Sequence, residues 1–193
     1  MKDLTMEKLK EKLSDRRFAA YVIVNFAVIL ALVYEFYLFK YGILKSVRYL
    51  VVAQALFVIA WIDFKEKHIY NKHLLMLLGI RTVLLVLECI FYPDYWISIL
   101  TSSLMGMLIG FGIFGLCYLI SKGGIGAGDV KLIAVLGMYL GSSVIMPVLI
   151  ITVIAAAVYC VIGLAMKKMT LKAEMPFGPF VLIGTVISMM LGV

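Results

Sequence analysis

The sequence is short of charged residues. Only 15% of its 193 side chains are Asp, Glu, Lys or Arg, whereas 64% are hydrophobic. A soluble domain carries about 25% charged residues, so the composition excludes that class and predicts an integral membrane protein. The net charge of +7 would suggest nucleic acid binding in a soluble protein, but here the basic residues form short clusters between apolar runs. That pattern sets membrane topology. We therefore expect a lipid bilayer as a partner, and no nucleic acid.

The sequence also has few metal-binding side chains. Its three cysteines, Cys89, Cys117 and Cys160, lie within apolar runs without CxxC spacing. Its two histidines, His68 and His73, are five positions apart, not the four that place two imidazoles on one helix face. These spacings indicate neither a metal site nor a disulfide framework. We expect no metal and no cofactor.

Long apolar runs occupy most of the chain. About 20 apolar residues form a helix that crosses the hydrocarbon core, and six runs meet that length while a seventh is marginal. We predict an all-α, polytopic transmembrane helix bundle of six to seven spans. Their approximate positions are 18–39, 43–62, 74–92, 96–120, 130–146 (the marginal one), 147–166 and 176–193. Short connections predict a single domain over 18–193 with antiparallel neighbours. Residues 1–17 are predicted to form a basic, amphipathic cytoplasmic segment, although a solvated basic tail explains them about equally well.

Lys and Arg are distributed unevenly between the two sides of this bundle. If successive spans alternate in direction, fourteen of the 18 basic residues share a side with residues 1–17, and only Lys40, Lys45 and Arg48 lie on the other side. Cytoplasmic loops carry the excess of Lys and Arg, so we predict a cytoplasmic N-terminus.

Several polar residues within the spans have structural explanations. Arg81 and Glu88 are seven positions apart on one helical face, which predicts an ion pair within the bundle. Asn25 and Gln54 are predicted to form interhelical hydrogen bonds. Glu35 lies near the end of its span, where its carboxylate is predicted to reach the interface.

Two aspartates are different because the predicted topology places both at the cytoplasmic face. Asp63 ends the second span in WIDFKEKHIYN, and Asp129 begins the fifth in GIGAGDVKL. Taken singly, each aspartate is better explained as an ordinary interfacial residue or helix cap than as a catalytic group. Two carboxylates in a site of low dielectric constant share one proton, which is the arrangement of an aspartic protease. If the helix after Asp129 ends at Gly141, it is only about 18 Å long and draws Asp129 below the membrane surface.

Glycines surround the second aspartate and a neighbouring span. Gly126 and Gly128 could let backbone approach an extended substrate, although a plain flexible connector explains them equally well. They do not form a GxGxxG nucleotide loop. Gly106 and Gly110 form a GxxxG motif that predicts close helix packing, against either substrate or another helix of the bundle.

Three motifs resemble one family. GAGDVKL is similar to the GxGD signature of membrane-embedded aspartic proteases, in the form found in type IV prepilin peptidases. Asp63, followed by basic residues, Ile69 and Asn71, resembles the first-aspartate pattern of that family, although Tyr70 replaces its proline. PFGPF at 176–180 resembles the element that opens its last helix. The resemblance covers roughly 54–184.

The resemblance implies a compact, peptidase-only member that cleaves the basic leader from type IV pilin-like precursors. It implies Asp63 and Asp129 as catalytic residues, no cofactor, and a multi-pass location in the inner membrane of a prokaryote. The substrate-binding residues implied are Gly126, Gly128, Lys131, Pro176 and Gly178.

Some alternatives and assignments stay open. A related protease could cleave other membrane-anchored peptides, and a scaffold or small transporter could use the aspartates to bind a cation or protons. Because Asp129 begins a helix and Asp63 ends one, the helix dipoles predict Asp129 as the base and Asp63 as the proton donor. The oligomeric state is not predicted.

Overall fold

The computed structural model describes residues 16–121, 124–167 and 175–192, which contain seven α-helices and no strand. The helices are α1 (Arg16–Leu38), α2 (Ile43–Glu66), α3 (Asn71–Phe91), α4 (Trp96–Ser121), α5 (Ala127–Leu140), α6 (Ser142–Ala165) and α7 (Gly178–Met190). A short 3₁₀ helix, Pro93–Tyr95, joins α3 to α4. The predicted all-α architecture is confirmed. The amphipathic segment predicted over 1–17 lies almost wholly outside the described residues.

Helix length separates the spans into two groups. In the described part of the chain, α1, α2, α3, α4 and α6 are long and apolar enough to cross a membrane. α5 has 14 residues and α7 has 13, so each is about 20 Å long at 1.5 Å per residue, against a hydrocarbon core of about 30 Å. The multi-pass architecture agrees with the prediction, but two of the seven predicted spans are short.

The boundary predicted between the fifth and sixth spans was wrong, whereas the alternative helix end at Gly141 is the one observed. The predicted division fell between 146 and 147, whereas α5 ends at Leu140 and α6 begins at Ser142, with Pro147 inside α6. Gly141 separates them with φ 82° and ψ 176°, a backbone conformation that side chains disfavour. A Cβ there would also lie 2.5 Å from Oγ of Ser102. The break therefore depends on glycine and not on the proline.

α5 packs in the centre of the bundle against α4, where small residues permit close contact. A Cβ on Gly106 would overlap the backbone of Gly137 and Gly141, and one on Gly110 would meet the backbone of Ile133. The GxxxG motif of α4 thus packs against another helix of the bundle. Its surface is not open to a substrate.

A buried ionic cluster ties α3 to three neighbouring helices. Arg81 is fully buried and donates from Nη1 to Glu88 at 2.9 Å, from Nε to the carbonyl oxygen of Met138 at 2.8 Å and from Nη2 to Ser103 at 2.6 Å. Nη1 of Arg48 also donates to both carboxylate oxygens of Glu88, at 3.0 and 3.2 Å. The predicted ion pair is confirmed. Because Met138 lies in the last turn of α5, the cluster also fixes the end of that helix.

Two further predictions about polar residues had different outcomes. Nε2 of Gln54 donates to Oδ1 of Asn25 at 3.1 Å, which confirms an interhelical hydrogen bond. The prediction for Glu35 was wrong, because the residue is largely buried in the bundle and only 9% exposed. Glu35 lies on the same face of α1 as Leu32 and Phe36, which are also buried, so its position on the helix turns it into the bundle.

Candidate active site

Asp63 lies in the last turn of α2 and is 4% exposed. Lys67 caps the end of α2 with a left-handed conformation (φ 50°) and donates its N–H to the carbonyl oxygen of Asp63 at 2.8 Å. The carboxylate accepts a hydrogen bond on Oδ2 from the N–H of Gly178, the first residue of α7, at 2.6 Å. A Cβ on Gly178 would come within 3.1 Å of Oδ2 and 3.3 Å of Cα of Ala60. The glycine therefore allows the start of α7 to approach the carboxylate.

Asp129 lies in the first turn of α5 and is half-buried. Its backbone N–H donates to the carbonyl oxygen of Gly126 at 3.0 Å, and its Oδ2 accepts from the N–H of Gly126 at 3.2 Å. This reciprocal pair closes the helix start in the manner of a capping box. It also holds the carboxylate against the backbone of the glycine loop.

The loop after α2 packs directly on the glycine loop before α5. A Cβ on Gly128 would lie 3.0 Å from Cβ of Ile69 and 3.4 Å from its carbonyl oxygen. Nζ of Lys131 donates to Oδ1 of Asn71 at 3.0 Å and so links α5 to the first residue of α3. These contacts bring the two segments that carry the aspartates together.

Asp63 and Asp129 line one cavity of about 380 Å³. It lies where the C-terminal end of α2 meets the N-terminal ends of α5 and α7. The remaining lining residues come from the three segments next to those helix ends: Lys67, His68, Ile69, Gly124, Gly126, Ala127, Gly128, Met175 and Phe177. A cavity of this size accommodates a few residues of extended peptide beside the two carboxyl groups.

Asp129 lies outside the five helices that are long enough to span the membrane. Burial first, and then the negative charge of Asp63, raise the pKa of Asp129 to about 6, while the hydrogen bond from Gly126 acts in the opposite direction. The charge of Asp63 thus adds to the effect of burial, as one carboxylate does toward a neighbouring one.

A comparison with protein families identifies the family of this chain. Residues 50–161, more than half of the sequence, match the type IV leader peptidase family. The chain belongs to the type IV leader peptidase family. Both aspartates and the glycine loop fall inside the matched residues.

Two relatives in this family have names that refer to leader cleavage. The chain is 28% identical over 91 residues to the prepilin leader peptidase/N-methyltransferase of Bacillus subtilis (strain 168), covering 47% of this chain and 37% of that protein. It is 40% identical over 90 residues to the leader peptidase HopD of Escherichia coli, covering 42% of this chain and 56% of that protein. The matches thus span roughly a third to a half of these relatives. No solved structure matches the chain.

The five residues predicted to bind substrate in this member of the leader peptidase family lie in three kinds of position. Gly126 and Gly128 line the cavity. Lys131 and Gly178 make the contacts described above, with Asn71 and Asp63. Pro176 is half-buried next to the cavity-lining Phe177. Their roles toward substrate stay predictions.

Sequence reasoning missed several residues that line the cavity. Lys67, His68, Met175 and Phe177 were not among the residues predicted to bind substrate. The available signal was proximity in sequence, because each lies within five residues of Asp63 or Gly178. The hydrogen bond from Gly178 was not foreseen either, since it joins residues 115 positions apart.

Proposed function

We propose that this protein is a membrane-embedded aspartic endopeptidase that cleaves the basic leader from type IV pilin-like precursors. The observation that carries the proposal is that Asp63 and Asp129, from different helices, line one cavity at one face of the bundle. Membership of the type IV leader peptidase family supports the substrate class. The names of the two relatives, both leader peptidases, support it as well.

The two aspartates act as one unit on a water molecule and the scissile peptide. The ionised carboxylate takes a proton from water while the protonated carboxyl donates to the carbonyl oxygen, so that the water oxygen adds to the carbonyl carbon. The tetrahedral intermediate then collapses, the C–N bond breaks, and the amine leaves with a proton from the dyad. The pKa of about 6 for Asp129 leaves that group able to change protonation state near neutral pH.

The glycine loop is proposed to hold the leader in an extended conformation. Gly126 and Gly128 present backbone without a Cβ to the cavity, which suits strand-like pairing with a substrate. Pro176 and Gly178 position the start of α7 beside Asp63, where the leader would pass. Lys131 lies at the edge of this region on α5 and is proposed to contact the substrate near the membrane surface.

The site is proposed to face the cytoplasm of a prokaryote, within the inner membrane. The ends of α2, α5 and α7 that carry the site share a side with most of the chain's Lys and Arg, which is the cytoplasmic side by the positive-inside rule. A precursor whose apolar helix lies in the membrane would present its basic leader at this boundary.

Co-expression with a candidate pilin-like precursor tests the proposal. Precursor and product are separated by gel mobility, and the new N-terminus is identified by mass spectrometry. We expect cleavage by the wild type and none by Asp63→Asn or Asp129→Asn. The matched control is Asp94→Asn, because Asp94 is an aspartate in the 3₁₀ helix at the opposite face of the bundle and lies outside the cavity.

Each outcome decides between functions. Cleavage that survives in Asp63→Asn or Asp129→Asn contradicts the dyad. Cleavage that is equally lost in Asp94→Asn would indicate a general effect on folding or insertion. A wild type that leaves pilin-like precursors intact but cleaves other membrane-anchored peptides would retain the protease and refute the substrate class.

A further inference from the structure

A second polar cavity lies at the end of the bundle opposite the two aspartates. Its volume is about 200 Å³, and its polar lining comes from Arg48, Ser98, Ser102 and Ser103, beside Gly141. The cavity exists because α5 ends at Leu140, about 21 Å after its start, which is short of the roughly 30 Å hydrocarbon core. The break at Gly141 leaves space next to the starts of α2 and α4.

The charges around this cavity do not balance. Arg48 and Arg81 both donate to the single carboxylate of Glu88, so the three groups together carry one surplus positive charge. The hydrogen bonds from Arg48 to Glu88 both use Nη1, and Nε of Arg48 is buried without a partner among the described residues. The Arg48 side chain is mostly buried, with 15% of it exposed. A cation that is largely removed from water without full compensation is costly, and an anion in the cavity would offset that cost.

Two serine hydroxyl groups add hydrogen-bond donors. Oγ of Ser102 accepts from the N–H of Ser142 at 3.3 Å, and Oγ of Ser103 accepts from Arg81 at 2.6 Å. Neither hydroxyl donates in any bond recorded within the described ranges, so both O–H groups are available to a ligand. A guanidinium group and hydroxyl donors together suit an oxyanion.

Aromatic residues indicate the depth of the cavity in the bilayer. Tyr92, Tyr95 and Trp96 are exposed just before α4 or at its first residue, and exposed Tyr and Trp mark the headgroup level of a membrane. Ser98 and Ser102 follow Trp96 within two turns. We propose that this cavity binds a phosphate group, which at this depth is carried by a phospholipid headgroup. The proposal is independent of the peptidase activity.

Lipid titration of the purified full chain, stripped of lipid in detergent and followed by native mass spectrometry, tests this site. The probes are phosphatidylglycerol and a diacylglycerol with the same acyl chains but no phosphate. We expect the first lipid bound by the wild type to favour phosphatidylglycerol by about tenfold or more, the size of one charge-assisted hydrogen bond. The preference should fall to about threefold or less in Arg48→Met, in which Arg81 still pairs with Glu88.

The controls separate this cavity from general basic attraction. Lys45→Met removes a cation one turn away on the same helix that does not line the cavity, and it should keep the wild-type preference. Ser102→Ala should lower the preference by a few-fold, and it decides the question if Arg48→Met does not fold. Millimolar inorganic phosphate is also added during thermal unfolding. If it protects the wild type and not Arg48→Met, the phosphate group that the cavity binds is free phosphate and not a lipid headgroup. An equal preference in wild type, Arg48→Met and Ser102→Ala, or no preference in the wild type, would overturn the proposal.

Discussion

Replacing Gly106 with alanine should force α4 away from α5. The new Cβ would overlap the carbonyl oxygen of Gly137 and lie 2.7 and 2.9 Å from the backbone of Gly141. These atoms belong to backbone, so no side-chain rotation relieves the contact. Overpacking of this kind costs about 1 to 3 kcal/mol, and we expect the upper end because the neighbouring helix itself must move.

Gly112→Ala is the matched control in the same helix. Nothing lies within 4 Å of a Cβ at Gly112, so this variant should gain up to about 1 kcal/mol from helix propensity. Because Gly106→Ala gains the same helix propensity, the two alanine variants should differ by the overpacking cost of about 3 kcal/mol. At roughly 2 to 4 °C per kcal/mol for a chain of this size, their Tm values should be about 6 to 12 °C apart.

Thermal unfolding of both variants in one detergent measures this difference. In a cleavage assay, Gly106→Ala should also lose about a hundredfold in rate, the order expected for a displacement of about 1 Å at a reacting group, because α5 carries Asp129. A Tm for Gly106→Ala that equals or exceeds that of Gly112→Ala would refute the packing of α4 on α5.

Three further variants test other parts of the structure. Because burial and Asp63 raise the pKa of Asp129 above its ordinary 3.8 to about 6, ionised Asp129 destabilises the fold above pH 6. Asp129→Asn should therefore add up to about 3 kcal/mol to the free energy of unfolding at pH 7.5, seen as a higher Tm. This gain should vanish at pH 3.5. A gain that is larger at low pH would contradict the direction of the pKa shift. Arg81→Met should lower the free energy of unfolding by about 3 kcal/mol. The control Thr82→Val, on the exposed side of α3, should lower it little. Equal Tm values for the two variants would show that the ionic cluster does not stabilise the fold. Gln54→Leu should cost about 0.6 to 1.7 kcal/mol in thermal unfolding, and no loss would exclude its interhelical bond.

Local patterns in the sequence were sufficient for much of the fold. Apolar runs predicted the helices, and the seven-residue spacing of Arg81 and Glu88 predicted their ion pair. Asp63 and Asp129 were identified as candidate catalytic residues because both lie at one face if successive spans alternate in direction. Each of these inferences depends on the spacing of residues or on the length and number of apolar runs, and both can be read from a single sequence.

Tertiary contacts supplied the rest. The burial of Glu35 depends on which face of α1 packs against the other helices. The donor to Asp63 comes from Gly178, far away in sequence. Such contacts arise from packing between distant segments, so no spacing rule predicts them.

The central claim is that Asp63 and Asp129 form one catalytic unit, and the cleavage rate of the double variant tests it most directly. The purified wild type, Asp63→Asn, Asp129→Asn and Asp63→Asn/Asp129→Asn are compared in liposomes with one pilin-like precursor. Groups that act as a unit are strongly non-additive, so each single variant should lose at least about a thousandfold and the double variant no more than either. Substantial cleavage by a single variant, or losses that multiply in the double variant, would contradict the account.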